Sequence, residues 1–165
     1  MPAEADARIL APHLEGLAAE PVRARRLRVC AGGLSIAAAL VHGVVSQGHV
    51  DEWWGYAAFF VVAALAQGIF GLLLLGAPWQ YDAAGRYDPV RGAPVARALY
   101  TAGIAGNLVL VLLYLVTRTV GIPLLGPGAG EVESVGADGV IAKAYELTLI
   151  ACLIGLRRAT GGRPA

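Results

Sequence analysis

The sequence predicts an all-α fold, a four-helix transmembrane bundle, and composition is the first observation that predicts it. Of the 165 residues, 57% are hydrophobic and only 15% are charged, against about 25% charged residues in a typical soluble domain. A soluble domain of this length still exposes about 30% of its unfolded surface, so a chain this apolar needs lipid as its solvent. The net charge of +1 also argues against a nucleic-acid-binding protein.

The positions of the charges are the second observation. Three runs without Asp, Glu, Lys or Arg lie at 29–50, 53–81 and 98–117, and each has the roughly 20 residues that cross a bilayer core. A fourth apolar run, 139–156, is interrupted by Lys143 and Glu146, which neighbouring helices must shield from lipid. Since buried backbone groups need internal partners and these runs are apolar on every side, helices are predicted rather than barrel strands.

The predicted helices cover about 28–47, 52–77, 96–120 and 138–157. Eleven of the 13 basic residues lie before the first helix, between the second and third, or near the end of the fourth. The positive-inside rule therefore predicts a multi-pass protein of the bacterial cytoplasmic (inner) membrane with both termini in the cytoplasm. One domain, 28–158, is expected between a cytoplasmic segment at 1–27 and a cytoplasmic tail at 159–165.

The N-terminal segment carries Leu10, Leu14 and Leu17 on one helical face, a spacing that predicts a short amphipathic helix on the membrane surface. A polar tail without that helix is the alternative. Within the bundle, Gln67 and Asn107 lie about 22 Å and 20 Å below the same end of their helices. We therefore expect these two side chains, together with Lys143, to provide intramembrane polar packing, with a hydrogen bond between Gln67 and Asn107. The alternative is that Gln67 and Asn107 form a polar substrate path.

Most of the remaining ionisable groups are predicted to converge on a rim at the end of the bundle opposite the basic clusters. The rim residues that could bind a metal ion or another ligand are His42, His49, Asp51, Glu52, Glu131, Glu133, Asp138 and Glu146. Imidazoles with carboxylates suit Zn²⁺, Cu²⁺, Fe²⁺ or Mn²⁺, whereas the cysteines lie towards the other end, which disfavours Cu(I). His13 belongs to the cytoplasmic segment, and Asp51 with Glu52 is also expected to cap the second helix.

Glu146 is the most informative rim residue because it lies about 12 Å inside the fourth helix, where an unpaired carboxylate is costly. One interpretation pairs it with Lys143, one turn away, with His42 merely hydrogen-bonded. The other joins it to His42, about 7 Å inside the first helix, in a functional site. Arg118 either clamps an acidic residue of the 121–138 loop or contacts an anion.

Several of these residues carry a resemblance. The residues His42, His49, Glu52-Trp53-Trp54-Gly55-Tyr56, Phe60 and Gln67, followed by Gly106-Asn107, Arg118-Thr119, Gly121-Ile122-Pro123, Gly126-Pro127, Gly130-Glu131 and Val135-Gly136, resemble a family of small four-transmembrane-helix proteins of high-GC, actinobacteria-like bacteria. The resemblance covers about 30–155. It implies the four-helix fold and an inner-membrane location, and it transfers no activity and no catalytic residue.

The leading functional hypothesis is a non-catalytic membrane protein whose rim binds a metal ion or a small polar ligand. An accessory or scaffold subunit of a larger membrane complex is the first alternative, with a membrane-protein partner or a second copy of the chain beside the lipid bilayer. The second is a small enzyme acting on a lipid or isoprenoid, with Glu146 and Asp138 as acid and base. That enzyme requires a lipid-accessible cleft between helices 1 and 4.

Overall fold

Four long helices form the part of the protein that the structure describes. The structure, a computed structural model, describes residues 20–123 and 126–161. Its helices are α1 (Val22–Gly48), α2 (Trp54–Gly76), α3 (Pro89–Thr119) and α4 (Ala137–Gly161), and a 3₁₀ turn at Pro78–Gln80 follows α2. All four are long and apolar enough to cross a membrane. The predicted all-α transmembrane bundle is therefore confirmed, while the predicted amphipathic helix over Leu10–Leu17 falls outside the described residues.

The helix ends differ from those predicted. α1 begins at Val22 and α3 at Pro89, because a charge-free run marks only the apolar centre of a helix that continues into the polar region. The Asp88 side chain accepts a hydrogen bond from the Arg91 amide at 3.0 Å and caps α3, with Pro89 in the favoured first position.

The start of α2 corrects one expectation. Asp51 and Glu52 were expected to cap this helix, and that expectation was wrong. The N-cap is Trp53, with no side-chain capping hydrogen bond, and both acids precede it in a loop over 49–53. The Glu52 carboxylate turns instead to His49, 2.5 Å from its Nδ1 atom.

Three pairs of neighbouring helices pack closely, whereas α2 and α3 pack more loosely. α1 packs along α2 and α4, and α4 packs along α3. Where α1 meets α2, a Cβ on Gly71 would lie 2.9 Å from the Gly32 carbonyl oxygen, so the absence of side chains permits this close approach. α2 and α3 meet mainly through side chains, such as Phe70 against Gly103.

Polar residues lie inside the bundle and large apolar residues lie on its outside, as lipid requires. On α1, Ser35, His42 and Ser46 are buried, as are Tyr100 and Asn107 on α3. Large apolar side chains cover the outside of the bundle instead. A polar group without a partner in lipid is costly, so the bundle turns its polar residues inwards.

The two ends of the bundle differ in chemistry. We call the end with the loops 49–53 and 120–136 the histidine end, and the opposite end the arginine end. At the arginine end, Arg28 Nη1 donates to the carbonyl oxygens of Leu74 and Leu75 at 2.6 and 2.9 Å, which satisfies the last turn of α2. Arg28 Nη2 also lies 2.7 Å from a Glu20 carboxylate oxygen.

The Glu20 carboxylate accepts hydrogen bonds from two residues, Arg28 and Gln80. Gln80 Nε2 donates to its second carboxylate oxygen at 3.0 Å. Burial alone would raise the pKa of the Glu20 carboxyl, but the hydrogen bonds from Arg28 and Gln80 and the charges of Arg28 and Arg25 outweigh it. The pKa of Glu20 therefore lies below its ordinary value.

Candidate ligand-binding site

A buried carboxylate lies at the centre of the histidine end. Glu146 on α4 is 0% exposed, and its Oε1 atom lies 2.9 Å from Nε2 of His42 on α1. Its Oε2 atom forms an ion pair with Lys143 Nζ at 2.5 Å. This contact does not have the geometry of a hydrogen bond. The Glu146 carboxylate therefore contacts both His42 and Lys143, and the functional interpretation of these contacts stays a prediction.

The polar contacts extend deeper into the bundle. Gln67 Nε2 donates to Asn107 Oδ1 at 3.1 Å, which is the contact expected from their depths, and lies 3.4 Å from Glu146 Oε1. The Asn107 amide donates to the Gly103 carbonyl at 2.8 Å. Ser35 Oγ donates to the Gln67 carbonyl at 2.6 Å. Glu146, His42, Lys143, Gln67 and Asn107 form one network, which we call the buried network.

An apolar layer closes the bundle on the arginine side of the buried network. Leu74, Leu149, Leu153 and Leu156 are at most 2% exposed and cluster with Tyr100. This layer lies between the buried network and the ion pair of Arg28 with Glu20.

A cavity of about 340 Å³ opens at the histidine end. His42 and Lys143 line it at about 9 Å inside their helix ends, six residues along at 1.5 Å each. Glu146 lies one turn deeper and holds both side chains. The wall is mostly aliphatic and aromatic and comes from all four helices, including Val41, Val45, Trp53, Tyr56, Phe59, Phe60, Leu110, Leu113, Tyr114 and Ala142.

Stacked rings order one side of this cavity. The Phe60 ring lies 4.9 Å from the His49 ring at an interplanar angle of 11°, and 5.7 Å from the His42 ring at 26°. Phe60 therefore contacts the imidazole at the mouth as well as the one near the floor. This packing restricts the orientation of both histidines.

Tyr114 on α3 orders the opposite side. The Arg118 guanidinium carbon lies 4.9 Å from the centroid of its ring and Lys143 Nζ lies 5.5 Å away, both within cation–π range. A Cβ on Gly139 would lie 2.6 Å from the Tyr114 ring, so glycine makes room for it. The Tyr114 hydroxyl and Arg118 Nε are buried, and neither has a hydrogen-bond partner among the described residues.

Five of the predicted rim residues surround the mouth of the cavity. A wider polar recess of about 670 Å³ is lined by His49, Glu52, Glu131, Glu133 and Asp138. Arg118 forms an ion pair with Glu133, one of the three acids expected as its partner. The Glu133 amide also donates to the Thr117 carbonyl at 3.0 Å, so this part of the loop is held against α3. Asp51 lines neither the cavity nor the recess.

The rim residues do not form a metal centre in this arrangement. Within 20–123 and 126–161, no three His, Cys, Asp or Glu side chains are grouped so as to hold a metal ion. The two histidines contact different carboxylates, His42 that of Glu146 and His49 that of Glu52.

The predicted lipid or isoprenoid enzyme uses Glu146 and Asp138 as acid and base. These two residues lie about 12 Å apart along the axis of α4. Helices α1 and α4 pack together, and the cavity is lined by all four helices. The enzyme alternative stays a prediction.

Sequence reasoning missed the apolar and aromatic wall of the cavity. Tyr114, Phe60 and Leu113 lie in runs that are apolar on every side, where hydropathy does not separate a cavity wall from a lipid-facing surface. One signal was present: Tyr114 precedes Arg118 by four residues, a spacing that places both on one face of a helix.

The fold and the site define a class: a helical protein with four potential membrane spans and a mixed apolar and polar cavity inside one end of the bundle. No protein-family model, no curated protein and no solved structure matches the chain.

Proposed function

We propose that this protein is a non-catalytic integral membrane protein that binds a small, largely apolar organic molecule in the cavity at the histidine end. The cavity itself carries the proposal. Its volume of about 340 Å³ lies in the range of small-molecule sites, and its apolar wall with a few fixed polar groups has the usual composition of such sites. The proposal keeps the predicted ligand binding but transfers it from the rim to the cavity, and it assigns no metal.

The buried network gives this cavity a rigid polar floor. Lys143 and His42 are each held by Glu146, so their heads are positioned before a ligand arrives. Preorganised groups lose little conformational entropy on binding. The ring of rim residues around the mouth would then contact the more polar part of the ligand.

Location and orientation belong to the same proposal. The charge asymmetry of the sequence supports an inner-membrane protein with both termini in the cytoplasm, so that the histidine end faces away from the cytoplasm. Membership of the four-helix family of high-GC bacteria remains a prediction. Fusion of green fluorescent protein to the C-terminus tests the orientation: fluorescent cells are expected, and non-fluorescent cells with an intact fusion would contradict it.

Binding is tested with a probe of suitable size, 2-acetylnaphthalene, titrated calorimetrically into the protein in dodecyl maltoside micelles, with empty micelles as the blank. We expect one saturable site per chain. Leu113 lines the cavity while its neighbour Leu112 is 58% exposed on the outer surface. Leu113→Trp should weaken binding about tenfold or more by filling the cavity, and Leu112→Trp should leave the Kd within about twofold.

A second matched pair of variants keeps the test decisive if Leu113→Trp does not fold. Val45 lines the cavity and Val44 is 69% exposed, so Val45→Trp and Val44→Trp should repeat the contrast from α1. Helical circular dichroism and a single elution peak establish that each variant is folded. Heat that does not saturate in wild-type protein, or equal loss in both members of both pairs, would overturn the proposed function.

A further inference from the structure

Two residues that line the cavity each carry a buried hydrogen-bond donor without a partner among the described residues, and the chemistry of these donors restricts what can bind. The Tyr114 hydroxyl and Arg118 Nε are buried in residues that line the cavity, and no hydrogen bond to either atom is made within the described part of the chain. An arginine Nε–H can donate but cannot accept. Since buried polar groups are normally satisfied, the complementary ligand atom is an acceptor.

The position of these donors is fixed by their surroundings. The Tyr114 ring lies between Arg118 and Lys143 and against Gly139, where any side chain would displace it. Arg118 is held by Glu133 at its Nη1 atom, a contact that does not use Nε.

The charge around the cavity argues for a neutral acceptor. Arg118 and Lys143 each form an ion pair, with Glu133 and Glu146 respectively. The other charged lining residues, Glu131 and Asp138, are acidic and would repel an anion. A cation has no lone pair to accept a hydrogen bond and would leave the Arg118 Nε–H without an acceptor.

We infer that the ligand is a neutral, largely apolar molecule bearing a carbonyl oxygen, which accepts hydrogen bonds from the Tyr114 hydroxyl and Arg118 Nε. This inference rests on the proposed function and names the ligand class for the same cavity. The aromatic and aliphatic wall contacts the apolar body of the ligand, and the two donors fix the orientation of its oxygen. Ketones, quinones and carboxylic esters share this chemistry.

The test compares probes of one shape. 2-Acetylnaphthalene carries a carbonyl, 2-isopropylnaphthalene replaces that carbonyl by a methyl-bearing carbon, and 2-naphthoate is the corresponding anion. In dodecyl maltoside, which has no carbonyl group, we expect the ketone to bind about tenfold or more tightly than the hydrocarbon, because the hydrocarbon leaves two buried donors unpaired. We expect 2-naphthoate to bind more weakly than the ketone. Equal binding of the ketone and hydrocarbon, or tighter binding of the anion, would overturn the inference.

Substitutions test whether the two donors cause the preference for the ketone over the hydrocarbon. Tyr114→Phe removes only the hydroxyl and should weaken ketone binding about three- to tenfold with little effect on the hydrocarbon. Tyr145→Phe makes the same change on α4 outside the cavity lining and is the matched control. Arg118→Lys keeps a positive charge for Glu133 but removes Nε, and should also reduce the preference for the ketone. If Tyr114→Phe and Arg118→Lys both retain the wild-type preference, the inference is wrong.

Changing the surrounding lipid distinguishes a carbonyl group of a membrane lipid from that of a free small molecule. Membrane lipids with ester linkages carry the same group as a free ketone. If a lipid ester occupies the cavity, ketone binding should be weaker in nanodiscs of ester-linked phosphatidylcholine than in nanodiscs of its ether-linked analogue. Equal binding in the two lipids indicates a free small molecule, and either result is consistent with carbonyl recognition. Failure of the ketone and hydrocarbon alike to bind would instead refute the proposed function, whereas equal binding of both refutes only the carbonyl inference.

Discussion

Removing one charge of the buried ion pair should destabilise the protein far more than removing both. Lys143 Nζ and Glu146 Oε2 are 2.5 Å apart, which at an effective dielectric constant of about 20 corresponds to about 7 kcal/mol of attraction before desolvation. Glu146→Gln leaves Lys143 without its partner, and Lys143→Met leaves a carboxylate that is 0% exposed. Breaking a buried pair in this way costs about 3–5 kcal/mol.

The double variant removes both charges and should cost only about 1–2 kcal/mol, since replacing a buried pair by neutral groups is often nearly neutral. The glutamine also retains an acceptor for His42. The assay is the free energy of unfolding, measured by circular dichroism during titration with sodium dodecyl sulfate in mixed micelles. We therefore expect a coupling energy of at least about 2 kcal/mol between the two sites.

Arg86→Met provides the control, because Arg86 forms an exposed i,i+4 ion pair with Asp82. An exposed pair contributes little, so the unfolding free energy should barely change. Additive losses in the double variant, or single variants as stable as the wild type, would refute the account of the buried network.

Three further results are expected. Gln67→Leu should cost about 0.6–2 kcal/mol of unfolding free energy through its lost amide hydrogen bond, while the Kd for 2-acetylnaphthalene stays within about twofold; selective loss of binding would contradict a packing role. The depressed pKa of Glu20 means that its pair with Arg28 contributes stability above the unfolded-state pKa, near 4.3, and loses it as pH falls through the folded-state value. Unfolding titrations from pH 6 to 3 should show this loss and Glu20→Gln should show less of it; identical profiles would argue against the pair. Gly71→Leu should separate α1 from α2 and cost about 1–3 kcal/mol or more, whereas Gly33→Leu, where a Cβ meets nothing within 4 Å, should be nearly neutral; equal losses would contradict the packing.

The existence of the four helices was predictable because lipid imposes one requirement, apolarity, along the whole span. The ends of these helices were less predictable. Val22 and Pro89 begin helices that continue beyond the apolar core, and hydropathy does not register that continuation. Trp53, a large aromatic residue without a capping side chain, occupies the N-cap of α2, which no capping preference would indicate.

Part of the site was also predictable from the cost of polar groups in lipid. His42, Gln67, Asn107 and Glu146 had to face the interior of the bundle, and all four are buried together. The cavity above them was not predictable. Leu112 and Leu113 are adjacent and chemically identical, yet one faces outwards and the other lines the cavity, and only the rotation of α3 in the folded bundle decides which.

The central claim, that a small molecule binds inside the histidine end, is tested most directly by nuclear Overhauser effects between bound 2-acetylnaphthalene and the protein in micelles. With the protein labelled at leucine methyl and tyrosine ring positions, cross-peaks are predicted from the naphthalene protons to Leu113 and from the acetyl group to the Tyr114 ring. Cross-peaks to the outward-facing Leu112 methyl groups without any to Leu113 and Tyr114 would place the probe on the surface of the bundle and contradict the claim.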